Sequence, residues 1–210
     1  MLQWIYYQPT ELEKEVVALY RSIGIEKPSD IDEELIASRL GIKLLYQEEI
    51  IPFAHENDRG RFIVLDKNLP DLQRRLDFFH ELGHLLRGHA GNQSELPDLF
   101  RGLQEEQAEH FAKYALMPYY MIQKLPMPEY ERDIPYLLAS EFRVNIDLAK
   151  ERWDQIKRRI ARGRWEQACI ERERSRYRKA DPTNWSDETK TMFRTAIMRK
   201  MQKGQGVVIR

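Results

Sequence analysis

Residues 80–84 read His-Glu-Leu-Gly-His. On a helix, side chains four apart lie on one face, so the His80 and His84 imidazoles can reach one metal ion, and Glu81, one position on, stands beside that ion. A carboxylate base next to a metal-bound water is the arrangement of metal-assisted hydrolysis. With five His and 22 Glu in the chain, an accidental match to this pattern has a probability of roughly 0.01. His89, five residues past His84, lies beyond the expected helix end and reads as a surface residue rather than a ligand. His55 falls in a turn with nothing to single it out.

Two histidines leave a zinc ion one protein ligand short. The single cysteine, Cys169, excludes a Cys-rich zinc module and an internal disulfide, so the candidates are His110 and the carboxylates of Glu105-Glu106-Gln107-Ala108-Glu109. Glu105, Ala108, Glu109 and Ala112 share one helical stripe, and the two alanines, with Gly83 opposite, allow close approach of two helices. Glu105 is therefore the geometric choice for the third ligand. Glu109, one turn on, is placed to accept a hydrogen bond from a ligating histidine and fix its tautomer. Glu106 and His110 lie off the stripe and read as solvent-facing. The His-His-carboxylate set suits zinc and also other divalent ions.

These residues need elements to hold them. Thr10 and Glu13 form a capping box ahead of Leu12, Val16, Val17 and Tyr20, which predicts a helix over about residues 10–23. Asp30 and Glu33 repeat the signature before a second helix, about 31–40, with Gly41 at its C-terminal cap. Ile42–Tyr46 and Arg61–Asp66 read as strands of a small antiparallel sheet, separated by the turn at Glu56–Gly60. A free edge on Arg61–Asp66 could bind an extended peptide by main-chain hydrogen bonds. The metal helix follows from Asn68, with Pro70 near its first turn, to about Gly88, a loop spans Gly91–Asp98, and the ligand helix runs from Leu99 to Leu116, stopped by Met117-Pro118. Beyond Pro128, two helices around Val144-Asn145 read as a helix-turn-helix or a plain αα-hairpin. A last amphipathic helix covers Ser186 to about Lys203, with Met192, Phe193, Ile197 and Met201 available as a docking face. The expected class is α+β, mainly helical, with the small sheet packed on the metal helix and a helical C-terminal extension. The expected domains are a catalytic core at 1–128, a helical segment at 129–163 and a basic extension at 164–210.

The chain has 210 residues and equal numbers of Lys+Arg and Asp+Glu, 34 each, giving a formal net charge of zero. That zero divides unequally: residues 1–150 carry 17 basic and 26 acidic residues, hence −9, and residues 151–210 carry 17 and 8, hence +9. With 42% hydrophobic residues, the composition is that of a globular chain and excludes a disordered tail protein. No apolar run approaches the roughly 18 residues of a membrane span, and the first residues lack the basic and apolar regions of a signal peptide. A cytoplasmic protein is expected.

His80 to His84, followed by Glu105-Glu106-Gln107-Ala108-Glu109-His110-Phe111-Ala112-Lys113-Tyr114-Ala115-Leu116-Met117-Pro118, resembles the ImmA/IrrE metallopeptidases, whose second block typically runs E-x-E-A-N-x-F-A-x-x-L-L-M-P. The resemblance covers about residues 30–155. Gln107 and Glu109 replace the pattern's second E and its N. The family's third zinc ligand, a glutamate of the second block, maps onto Glu105. The resemblance implies a zinc-dependent endopeptidase in which Glu81 activates a metal-bound water, and a helix-turn-helix transcriptional repressor as its protein substrate. An oxyanion donor is still needed, and Tyr114, Tyr119 and Tyr120, near the end of the ligand helix, are candidates that spacing does not separate.

The basic segment supports an alternative: a nucleic-acid-binding or regulatory protein whose metal site is structural or sensory. Lys157, Arg158, Arg159, Arg162 and Arg164, flanked by Trp153 and Trp165, could contact phosphates and stack on bases, as could Arg172–Lys179 with Tyr177. The simpler reading of both stretches is a solvated helical face with interspersed glutamates.

Overall fold

The computed structural model describes residues 3–58, 60–89, 97–176 and 182–203. The chain divides into two compact units, Met1–Arg164 and Trp165–Arg210.

The first unit opens with helix α1, Glu11–Ser22, started by the predicted capping box: Thr10 accepts from the Glu13 amide while the Glu13 side chain accepts from the Thr10 amide. Helix α2, Glu33–Arg39, is capped by Asp32, whose side chain accepts from the Leu35 amide. Asp30, expected to start this helix, instead holds the turn before it by accepting from the Glu26 and Lys27 amides.

Three strands follow: β1, Ile42–Gln47; β2, Phe53–Asn57; and β3, Gly60–Asp66. Their order is β1-β3-β2, with β2 antiparallel and β1 parallel to β3. The sheet is thus small and mixed, and the expected antiparallel pairing of Ile42–Tyr46 with Arg61–Asp66 is corrected to a parallel one. The reason lies in residues 53–57, too polar at His55, Glu56 and Asn57 to read as a strand. They form the hairpin partner of β3 through a tight turn, which leaves β1 the other edge. β3 consequently has no free edge for a peptide, and the outer edge on that side belongs to β2.

Asp66 turns the chain from β3 by accepting from the Asn68 amide, and helix α3, Asp71–Leu86, begins behind Pro70. Phe78, Phe79, Leu82 and Leu85 bury one face of α3 in the core with Ile63 and Leu65 of β3. Helix α4, Asp98–Leu116, packs against α3, with Ala108 and Phe111 at Gly83, and Tyr20 of α1 donates to the Ala115 carbonyl at 2.7 Å. A short helix α5, Tyr119–Ile122, then α6, Ile134–Phe142, and α7, Ile146–Arg176, complete the packing elements. Arg143, in the left-handed conformation at φ 53°, makes the turn between α6 and α7.

Gly83 sets the distance between α3 and α4. A Cβ at this position would meet the Ala108 Cα and the Phe111 Cβ at 3.2 Å each, so the facing small residues anticipated from sequence are in contact. Gly83→Leu is expected to force the helices apart, lowering stability by ~1–3 kcal/mol and reducing bound metal; calorimetry with metal analysis checks both. A loss under ~0.5 kcal/mol would mean that the spacing is not set here.

In the second unit, helix α8, Asp187–Gln202, is capped by Ser186, which accepts from the Thr189 amide. Trp185 packs edge-on against Phe193 at 4.9 Å, and Met192, Phe193, Met198 and Met201 are exposed. Among the described residues no helix is long and apolar enough to cross a membrane. Residues 91–96 of the expected loop, Arg59 of the turn, and Tyr177, Arg178 and Lys179 of the second basic stretch lie outside the described residues.

Candidate metal centre

The i, i+4 spacing on α3 places the His80 and His84 Nε2 atoms 3.0 Å apart. The α3–α4 contact then delivers Glu105, whose Oε2 lies 3.1 Å from His80 Nε2 and whose Oε1 lies 3.6 Å from His84 Nε2. These three residues are the one group of His, Cys and carboxylate side chains, among the described residues, that converges as a metal site. Bonds of about 2.0–2.2 Å at tetrahedral angles put ligand atoms roughly 3.3–3.6 Å apart. The 3.6 Å spacing falls in that range, the 3.0 and 3.1 Å spacings are a few tenths of an ångström tighter and need only a small outward shift of the side chains, and the donor types fit zinc. Burial, with His80 adding to it, holds the His84 imidazole below its usual pKa, which keeps a ring lone pair available to a cation.

The triad lies in a cleft of about 400 Å³ whose walls come from α3, α4 and the Ile51–Ala54 stretch leading into β2. Glu81 lines the same cleft. Its carboxyl is pushed up to about 7, first by burial, and further by the negative charges of Glu105 and Asp77, while the Ala54 backbone N–H it accepts from works in the other direction. A cation in the triad would draw it down again. The Ala54 contact also orients the carboxylate and sets β2 beside Glu81.

Asp77, one turn before His80, was not singled out from sequence, although its i−3 spacing is a legible signal. It lines this cleft and a second cavity on the far side of His80, which Glu109 shares. Burial raises the Asp77 carboxyl above its ordinary pKa, against the Gln73 amide and the His80 ring, which lower it. Glu109 is exposed and stands near His80 only as a wall of that second cavity. His89 also departs from expectation. It is half-buried and lines the cleft, with its ring centroid 5.9 Å from that of His84. His55 packs on Phe62 and lies outside the cleft.

The three tyrosines proposed as oxyanion donors are placed elsewhere. Tyr114 is buried and its hydroxyl accepts from Arg159 at 2.7 Å and Gln155 at 3.0 Å. The Tyr119 ring packs on Tyr7, and the Tyr120 hydroxyl donates to the Ile25 carbonyl at 3.2 Å. None lines the cleft. Helix α5 turns the chain away after Pro118, a long-range outcome that local spacing does not carry.

The basic set is likewise divided. Arg159 is tied to Glu13, Tyr7 and Tyr114. Lys157 pairs with Glu131 and Asp154, each at 2.9 Å, and Trp153 is only 2% exposed. Trp153 thus belongs to the core and offers no stacking face, while Arg159 and Lys157 are held in ion pairs of the fold. Arg158, Arg162 and Arg164 are exposed.

Residues 37–154 match the family described as the IrrE N-terminal-like domain, Peptidase_M78. The phage-like element PBSX protein XkdA of Bacillus subtilis strain 168 is 34% identical over 152 residues, covering 72% of this chain and 76% of that protein. The uncharacterized protein YqaB of the same strain is 27% identical over 146 residues, covering 70% and 84%. Among solved structures, a Mycobacterium tuberculosis transcriptional regulator superposes with a TM-score of 0.47 at 17% identity, covering 66% of this chain and 44% of that one. The triad, Glu81 and β2 all lie within the matched region.

Proposed function

We propose, from the premise that this chain belongs to the IrrE N-terminal-like family of peptidases, that it is a zinc endopeptidase in which Glu81 is the general base and a helix-turn-helix transcriptional repressor is the substrate. The family gives a metallopeptidase-type function. The observation that carries the finer reading is the convergence of the His80, His84 and Glu105 ligand atoms in one cleft with Glu81.

His80, His84 and Glu105 would hold the ion, and zinc bound there supplies a Lewis acid that polarises the scissile carbonyl and acidifies water. Glu81 takes the proton of the attacking water and passes it to the leaving amine. The Ala54 amide keeps the Glu81 carboxylate turned towards the cleft. Because Ala54 turns its N–H away from β3, its carbonyl and the Glu56 backbone groups also face outward. An extended peptide can pair with them along the β2 edge. The repressor reading is supported by the family resemblance and by charge: the −9 of residues 1–150 attracts a basic, DNA-binding partner.

The test uses the zinc-loaded protein and purified helix-turn-helix repressors offered as substrates, beginning with any encoded in the neighbouring genes. Wild-type protein is expected to cut the repressor at one position, resolved as two fragments by mass spectrometry. Glu81→Gln is expected to bind one zinc per chain and to cut about 10²–10⁴-fold more slowly. An intact repressor at full zinc loading overturns the substrate assignment, whereas undiminished cutting by Glu81→Gln overturns the base.

A further inference from the structure

Hydrolysis of a peptide bond places negative charge on the former carbonyl oxygen, and a hydrogen-bond donor aimed at that charge is usually a large contribution to the rate. Among the described residues the cleft offers few: of the ten that line it, four are apolar, two are the carboxylates Asp77 and Glu81, and three are the triad; the tenth is His89. The Ala54 amide is engaged by Glu81. The nearby cation, Arg87, is tied back by hydrogen bonds of 3.1 Å to Gln107 and 3.1 Å to Glu15.

His89 reaches the cleft through the cap of α3. Gly88, at φ +71°, turns the chain back, the Gly88 amide donates to the Leu85 carbonyl at 3.3 Å, and the His89 amide donates to the His84 carbonyl at 2.8 Å. This is a Schellman motif, which folds the second residue past the cap over the residue five positions earlier. Here that earlier residue is His84, so the helix end itself carries the His89 ring to the rim of the triad, with the rings inclined at 61°.

We propose that His89 is a catalytic residue whose ring N–H donates a hydrogen bond to the oxyanion formed on the scissile carbonyl. This rests on the peptidase reading above and adds to it the group that stabilises the tetrahedral state. A ring nitrogen on the end of a capped helix is preorganised, since the Gly88 turn fixes its backbone before substrate arrives.

The experiment compares wild type, His89→Ala and His89→Gln, each loaded with zinc. Cutting of the repressor, zinc affinity by competition with a chromogenic chelator, and binding of a phosphinic peptide built on the mapped cleavage sequence are measured. His89→Ala is expected to lower kcat by about 10²-fold or more with KM changed less than about threefold and zinc affinity unchanged. Phosphinic-peptide binding should weaken in parallel with kcat, and His89→Gln, which retains an N–H donor, should recover part of both. Zinc affinity reduced tenfold or more in both variants would make His89 a ligand or a support of the triad and overturn the assignment. So would a kcat within threefold of wild type. Wild-type protein that fails to cut strikes the peptidase reading itself and takes this assignment with it, whereas wild-type cutting that survives His89→Ala removes only His89.

Discussion

Glu105→Ala is expected to lower zinc affinity by ~10²–10⁴-fold and to abolish repressor cutting. Zinc sites in small peptides bind with ~10–16 kcal/mol, and one of three protein ligands carries about 3–5 kcal/mol of such a total. Glu105 is also the sole contribution of α4 to the triad, whose other two atoms come from α3. Its loss leaves two imidazoles, an incomplete catalytic zinc set. Glu106→Ala, one position away and exposed, is the matched control and should bind zinc as wild type does. Chelator competition reads the affinity and metal analysis the stoichiometry. Zinc retained at wild-type affinity by Glu105→Ala would remove Glu105 from the site.

Glu13→Ala is expected to lower stability by about 3–5 kcal/mol, the cost of leaving a buried charge without its partner. For a unit of this size that is a fall of roughly 6–20 °C in the thermal midpoint. The Glu13 carboxylate accepts from Tyr7, Thr10, Arg152 and Arg159, and the Arg152 and Glu13 side chains are 0% and 1% exposed. Arg152 in turn donates to the Met117 carbonyl and lies over the Tyr114 ring. The group thus ties the N-terminal segment and α1 to α7 and to the end of the ligand helix. Burial is the largest single influence and raises the Glu13 pKa, but Arg152, Tyr7 and Thr10 together outweigh it and hold the carboxyl below the usual value of 4.5.

A depressed folded pKa has a definite consequence for acid stability. The contribution of Glu13 is complete above the unfolded carboxyl's pKa and is lost as pH falls through the folded value. Wild-type stability should therefore drop on acidification below about 4.5, and Glu13→Gln should show a flatter dependence in that window. Denaturant titrations at stepped pH measure both. Equal slopes for the two proteins would show that Glu13 does not couple folding to protons, and Glu11→Ala, an exposed neighbour, should change stability by under ~0.5 kcal/mol.

Much of the helical framework was legible because its signals are local. The Thr10–Glu13 box, Ser186, Gly88 and Met117-Pro118 act on amides and carbonyls within one turn, and each marks an end where it was expected. Asp30 misled because it caps the preceding turn with the same chemistry by which Asp32 caps α2. The sheet was less legible. β2 carries His55, Glu56 and Asn57 and pairs through its backbone, so side-chain pattern concealed it, and with it the pairing of β1 and the edge beside Glu81. Aromatic and basic residues were poorly legible for a related reason: a buried Trp153 or a paired Arg159 has the same local signature as an exposed one.

Sequence by itself determined that His80 and His84 share a helical face with Glu81 beside them, because a 3.6-residue repeat is a property of the local backbone. It also determined that Gly83, Ala108 and Ala112 are small enough to bring two helices together. Only the tertiary structure decided that Glu105 meets both imidazoles, that Tyr114 turns into an arginine network, that β2 supplies the wall of the cleft, and that His89 stands at its rim. Those outcomes depend on contacts between residues distant in the chain, or on a cap that reverses its direction. Helical periodicity carries no record of either.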